Sequence, residues 1–243
     1  MTKVTKVKKI KEKTLLLVTL VTLVALVTFP SCQQAKTPQQ LGKAYFRGYG
    51  CNNCHRIGSE GGKIGPDLTF VGFRKSRQWL DQWLKNPHNW KNNTLMPNFN
   101  LPDHSRNALV EYLLTLKGEG FDQTGRPWND PSLQGDLVKK GEVLFERAGC
   151  VACHAQKGRG GYPNNNVAGG QIPSLTLAAD GFSKEELKQR IREGRKSDKA
   201  DPKGPAPMIE MPQWGKVFGD DELDAAVEYV YSLRPPKAAG EEW

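Results

Sequence analysis

Apolar positions recur at helical spacing in four stretches of this chain, and the four form two pairs. Residues 41–47 and 137–147 each predict a helix, and each is followed by a glycine and a cysteine-containing turn. Residues 109–116 (Leu-Val-Glu-Tyr-Leu-Leu-Thr-Leu) and 226–233 (Ala-Val-Glu-Tyr-Val-Tyr-Ser-Leu) predict a second, closely matched pair. A fifth apolar run, residues 14–29, is uncharged and follows six lysines between Lys3 and Lys13.

The pairing is an internal repeat. Gly42, Phe46 and Gly50 recur as Gly141, Phe145 and Gly149 at an offset of 99. Between its two helices each copy carries a loop proline, Pro66 or Pro173, and a Met-Pro pair, Met96-Pro97 or Met211-Pro212. The Gly-, Pro- and Asp-rich segment 118–131 ends the first copy. The expected organisation is therefore a leader at 1–31, a first domain at 32–118, a linker at 119–133, a second domain at 134–234 and a tail at 235–243. The second copy is longer: His55 to Met96 spans 41 positions and His154 to Met211 spans 57. Eight of the extra positions precede Pro173, around 158–170, and eight follow it, around 196–207. Surface loops tolerate such additions, and they read as length variation.

Each copy also carries Cys-x-x-Cys-His: Cys51, Cys54 and His55, then Cys150, Cys153 and His154. This is the attachment pattern of c-type haem. Cysteines three apart on a helical turn project toward two vinyl groups on one porphyrin edge, and the histidine falls under the iron. A shared structural zinc site would need the two cysteine pairs much closer than 99 residues. A thioredoxin-like site would need a strand-to-helix context, and neither motif is flanked by a β-branched run. Two covalent haems per chain are expected, with His55 and His154 as iron ligands.

A low-spin electron-transfer haem needs a second strong ligand. Beyond the initiator the methionines are Met96, Met208 and Met211, all in Pro-containing loops rather than on an apolar helix face. Met96 and Met211 are the expected distal ligands, and the proline after Met211 favours it over Met208. His88 and His104, the spare histidines, could replace Met96 but read as polar loop residues. Trp79, Trp83, Trp90, Tyr112, Trp214, Tyr229 and Tyr231 are expected to pack against porphyrin or core.

The order Cys-x-x-Cys-His, Pro, Met-Pro, kept twice along nearly the whole chain after the leader, resembles the class I cytochrome c fold in tandem. It is similar to the cytochrome c4 group and to the dihaem subunits of respiratory complexes. The resemblance implies an all-α protein of two cytochrome c domains. It also implies that the carbonyls of Pro66 and Pro173 accept hydrogen bonds from the proximal imidazoles. The expected function is electron transfer between membrane-associated or periplasmic partners in a respiratory chain. Two alternatives stay open: a dihaem peroxidase, and a fixed cytochrome c subunit of a quinol-oxidising or terminal oxidase complex. No separate catalytic constellation is visible, so an enzyme is not expected.

Basic residues, the apolar run and Pro30-Ser31-Cys32 have the layout of an export signal. Four of the five cysteines belong to the haem motifs. Cys32 resembles the lipidated cysteine of bacterial lipoproteins, although Phe29 and Pro30 depart from that pattern; an uncleaved anchor helix is the alternative. Either places the body outside the cytoplasmic membrane and tethered to it. Much of the +9 charge belongs to the leader, so nucleic-acid binding is not supported. Residues 32–118 carry 12 Lys and Arg against 5 Asp and Glu, whereas 119–243 carry 17 against 20. This asymmetry suggests an acidic partner for the first domain, with Arg74, Lys75 and Arg77 as its docking cations.

Overall fold

Residues 35–122 and 125–236 are described by the structure, a computed structural model. The leader, Cys32 and most of the tail lie outside them. The chain opens with α1 (Pro38–Gly48), then the motif turn α2 (Cys51–Cys54), a two-stranded hairpin of β1 (Arg56–Ile57) and β2 (Glu60–Gly61), α3 (Val71–Arg74), α4 (Arg77–Lys85), α5 (Pro87–Trp90) and α6 (Asp103–Thr115). The second copy follows with α7 (Leu137–Arg147), the turn α8 (Val151–His154), α9 (Ala178–Gly181), α10 (Lys184–Glu193) and α11 (Asp220–Ser232). The architecture is all-α, as expected, with the hairpin as its one named sheet among the described residues.

The helices start where side chains satisfy their free N–H groups. Thr37 accepts from Gln40 N while Gln40 Oε1 accepts from Thr37 N, a reciprocal cap that starts α1 earlier than the apolar spacing indicated. Asp136 caps α7 through Lys139 N at 2.8 Å. Three acids in the first turn of α11 complement its dipole.

The repeated glycines mark where the first and last helices of each copy cross. A Cβ at Gly42 would overlap the Ala108 carbonyl and meet Tyr112; at Gly141 it would overlap the Ala225 carbonyl and meet Tyr229. One turn on, Phe46 meets the Tyr112 ring at 5.7 Å and Phe145 the Tyr229 ring at 5.2 Å. The two copies thus use one crossing, built from the same residue types.

The two cores are not private to their copies. Phe70 and Phe73 of the first copy pack into the second core, where Phe70 meets Trp214 edge-on at 5.8 Å. Ile209 of the second copy is buried in the first core, with Met208, Tyr162 and Ile172 packed beside it. The connecting segment is packed rather than a free tether. Trp128 is fully buried and donates Nε1–H to Glu222 at 2.5 Å, and Glu222 also pairs with Arg126 at 2.5 Å. The described residues from Thr37 onward belong to one compact unit. None of the described helices is long and apolar enough to cross a membrane.

Candidate functional site

Gly50 and Gly149 adopt left-handed backbone, φ +70° and +80°, which lets the chain leave α1 or α7 and start a new helical turn at once. In both turns the histidine N–H closes on the first cysteine carbonyl at 3.0 Å. Both thiol pairs and their histidine are thereby set on one short turn, as covalent attachment to one porphyrin edge requires. Burial pushes the Cys51 thiol up to about 11 and the Cys150 thiol up to about 12.

In the first copy, His55 Nδ1 lies 2.9 Å from the Pro66 carbonyl. A carbonyl only accepts, so Nδ1 carries the proton and the other ring nitrogen keeps its lone pair for a metal. Burial lowers the His55 pKa, which favours that neutral form. His55, Cys51, Cys54 and Met96 line one cavity of about 990 Å³, with Leu80 and Trp83 among its apolar walls. Trp83 donates Nε1–H to Met96 Sδ at 3.0 Å and stacks on Trp79 with centroids 5.1 Å apart. Two thiols, an imidazole and a thioether around an apolar cavity are the donor set of a covalently bound, axially ligated haem, and the residues fit that group. His88 is also on the cavity wall but is exposed, with Nδ1 3.1 Å from the Asn92 carbonyl. His104 packs edge-on against Tyr45 at 6.1 Å and is not among the cavity walls.

The second motif is set differently. His154 Nδ1 is buried without a hydrogen-bond partner, so the expected bond to the Pro173 carbonyl is not formed. The cause is the extra length between them. Gly161 N–H and Tyr162 O pair with Ile172 at 2.8 Å each, and Pro163 bridges Gln171, so the residues just before Pro173 are paired with the insertion itself. Burial, and then the nearby Lys75 ammonium, lower the His154 pKa to about 4, leaving a neutral imidazole for iron. Ala155, next in the chain, sits at φ +60°, ψ 173°, a region favoured by glycine. Met211 pairs with Arg195 through both backbone bonds at 2.9 Å, and it packs on the second core, as Cys150 also does. Met208 packs instead on the cluster that holds Cys153, Tyr162 and Ile172.

Two of the three expected docking cations are buried. Lys75 Nζ is 3.4 Å from Cys153 Sγ and 4.2 Å above the Trp79 ring, and Arg74 donates Nη2–H to the Asp67 carbonyl at 2.8 Å. Desolvation lowers the pKa of both. Arg77 alone stays exposed, paired with Glu111 at 2.6 Å. Composition counted these charges but could not show that the second copy covers them.

The two insertions of the second copy form one structure. Asn164 exchanges both amide bonds with Ile209, Asn165 joins Ala206 and Met208, and Asn166 joins Asp201 and Pro205. This asparagine run ties the loop near 160 to the loop near 205. The first of the joined loops borders the first copy's cavity: Gly160, Gly161, Tyr162 and Pro163 line it, and Trp90 donates Nε1–H to the Pro163 carbonyl at 3.1 Å. The first insertion is thus a wall of the first site rather than length variation alone, and the second is bonded to it. Three successive asparagines were the available signal.

Fold and sites together define a two-domain c-type cytochrome with two covalent haems. The cytochrome c family matches residues 39–117 and 138–234, and the chain belongs to that family. It is 26% identical to a Cbb3-type cytochrome c oxidase subunit CcoP of Helicobacter pylori over 188 residues, covering 76% of this chain and 55% of that protein. It therefore spans about half the length of the curated relatives it matches first. Its similarity to cytochrome c6 of Euglena gracilis is 30% over 87 residues, or 34% of this chain and 78% of that one. A reducing HAO-like protein complex of Kuenenia stuttgartiensis aligns over 83% of this chain and all of that chain, at 18% identity and a TM-score of 0.30.

Proposed function

We propose that this electron-transfer cytochrome is a two-haem relay between respiratory partners on the exported side of a bacterial membrane, tethered there through Cys32 or the apolar run before it. The observation that carries the relay reading is the direct apposition of the two motifs' surroundings. Lys75, one residue past α3 of the first copy, touches Cys153 of the second motif, and the walls of the first cavity include Val151 and Ala152. Bound haem supplies the one-electron chemistry of its iron. The chain's own part is to ligate through His55 with Met96 and His154 with Met211, to bury the sites, and to hold them together.

A methionine in the same cavity as His55 supports a carrier over a peroxidase, which needs an open distal position. The likeness to CcoP favours one second reading, a fixed cytochrome c subunit of a terminal oxidase. Purification from membranes in mild detergent separates the two. A relay migrates without integral membrane subunits and is released when Cys32→Ser removes its lipid, whereas an oxidase subunit stays with a larger complex. Peroxide turnover by the half-reduced protein would overturn the carrier reading.

A further inference from the structure

We infer that Arg147 of the second copy is a positioning residue for His55, the proximal ligand of the first. The inference rests on the reading of His55 as an iron ligand. Arg147 ends α7, three residues before Cys150, yet its guanidinium reaches into the other copy. Its Nε–H donates to Asp67 Oδ2 at 2.8 Å and its Nη2–H to the Gly58 carbonyl at 2.5 Å. Gly58 lies three residues after His55, and Asp67 directly follows Pro66, whose carbonyl accepts from His55 Nδ1. One side chain thus grips both arms of the loop that carries the ligand and the ligand's own partner.

The grip is built into the interior. The Arg147 and Asp67 side chains are 17% and 5% exposed, so this is no loose surface pair. Asp67 Oδ1 accepts from Thr69 N at 2.8 Å and from the Thr69 hydroxyl at 2.5 Å, and Thr69 Oγ1 accepts from Gly58 N at 2.7 Å. The Asp67 carbonyl is held by Arg74, and the Arg147 guanidinium lies 5.4 Å from the Phe121 ring centre. Every carboxylate and loop carbonyl in this knot has a partner, which fixes the loop in one arrangement.

The device runs one way. At the repeat offset of 99, Arg147 corresponds to Gly48, which has no side chain to return the contact. His55 has its carbonyl partner, while His154 Nδ1 has none. A hydrogen bond to the outer nitrogen orients the ring and raises its basicity as a ligand. Docking of the second copy therefore tunes the first haem, and the first copy does not tune the second in this manner.

The test uses the full dihaem protein with Arg147→Met and Asp67→Asn combined, which removes one charge of each sign and leaves net charge unchanged. Exchange of the His55 Nδ1 proton, followed by nitrogen-labelled NMR, should become about tenfold faster, the effect of losing one net hydrogen bond. The first haem's potential should rise while the second stays put. The two single variants should be non-additive for His55 exchange. Arg147→Lys, which keeps the charge but gives up the Gly58 contact, should give a smaller change in the same direction. Unchanged His55 exchange, or a shift confined to the second haem, overturns the inference. Haem content is measured in every sample: a wild type without two haems refutes the ligand reading instead, and a variant that loses haem is replaced by Arg147→Lys as the deciding measurement.

Discussion

His55 and His154 stand in identical pentapeptide patterns, and the residues around them differ. The Pro66 carbonyl holds His55, whereas His154 Nδ1 is buried alone beside the Lys75 ammonium. Each motif was legible in the sequence because covalent attachment demands a fixed spacing. The Pro173 contact was not, because an insertion changes where a carbonyl points without changing the order of residues. At the distal side, Trp83→Phe removes the N–H donated to Met96 Sδ and should shift the ferric methionine-to-iron charge-transfer band while leaving haem content at two. In the second copy, Met211→Ala should abolish the corresponding band component and Met208→Ala should leave it. The opposite result assigns the ligand to Met208, which packs on the same cluster as Cys153 and Tyr162.

Among elements, the helix pairs were the most legible part of the fold. Their periodicity located α7, and Gly42 and Gly141 were legible as a repeat, although only the fold shows that they sit at the helix crossings. Their N-termini were less legible: a Thr37 cap and a proline-led start extend α1 and α6 beyond their apolar faces. Gly141→Ala should destabilise the protein by about 1–3 kcal/mol or more, because its Cβ meets a backbone carbonyl that cannot rotate away. Thermal melts of Gly141→Ala and of Gly48→Ala, where a Cβ meets nothing within 4 Å, should separate clearly. The joined insertions were the least legible elements, since loop length says nothing about what a loop touches. Asn166→Ala removes the bonds to Asp201 and Pro205 and should speed proteolytic nicking within 196–207. Equal cleavage rates would show that the asparagine run does not hold the loop.

For the whole molecule, sequence symmetry hid an asymmetric assembly. Two copies in tandem suggest two independent beads, yet Phe70 completes the second core and Ile209 the first. The contacts that join them lie hundreds of atoms apart along the chain, and no local pattern records them. One consequence is that Glu222, which takes bonds from Arg126, Trp128 and Gly219, secures the connecting segment. Glu222→Ala should cost about 2 kcal/mol, seen as one cooperative transition moved to lower denaturant. Two separated transitions in the wild type would contradict the shared-core arrangement. The charge asymmetry of composition is likewise redistributed, because Arg74 and Lys75 serve the internal contact instead of an outer patch.

Two covalent haems held by one chain in a single packed unit can be counted by intact-mass measurement of the purified protein after acid–acetone extraction. A mass increase of two haems should survive extraction, falling by one in Cys51→Ser/Cys54→Ser and by one in Cys150→Ser/Cys153→Ser. A wild type carrying a single haem, or haem that the solvent removes, would contradict it.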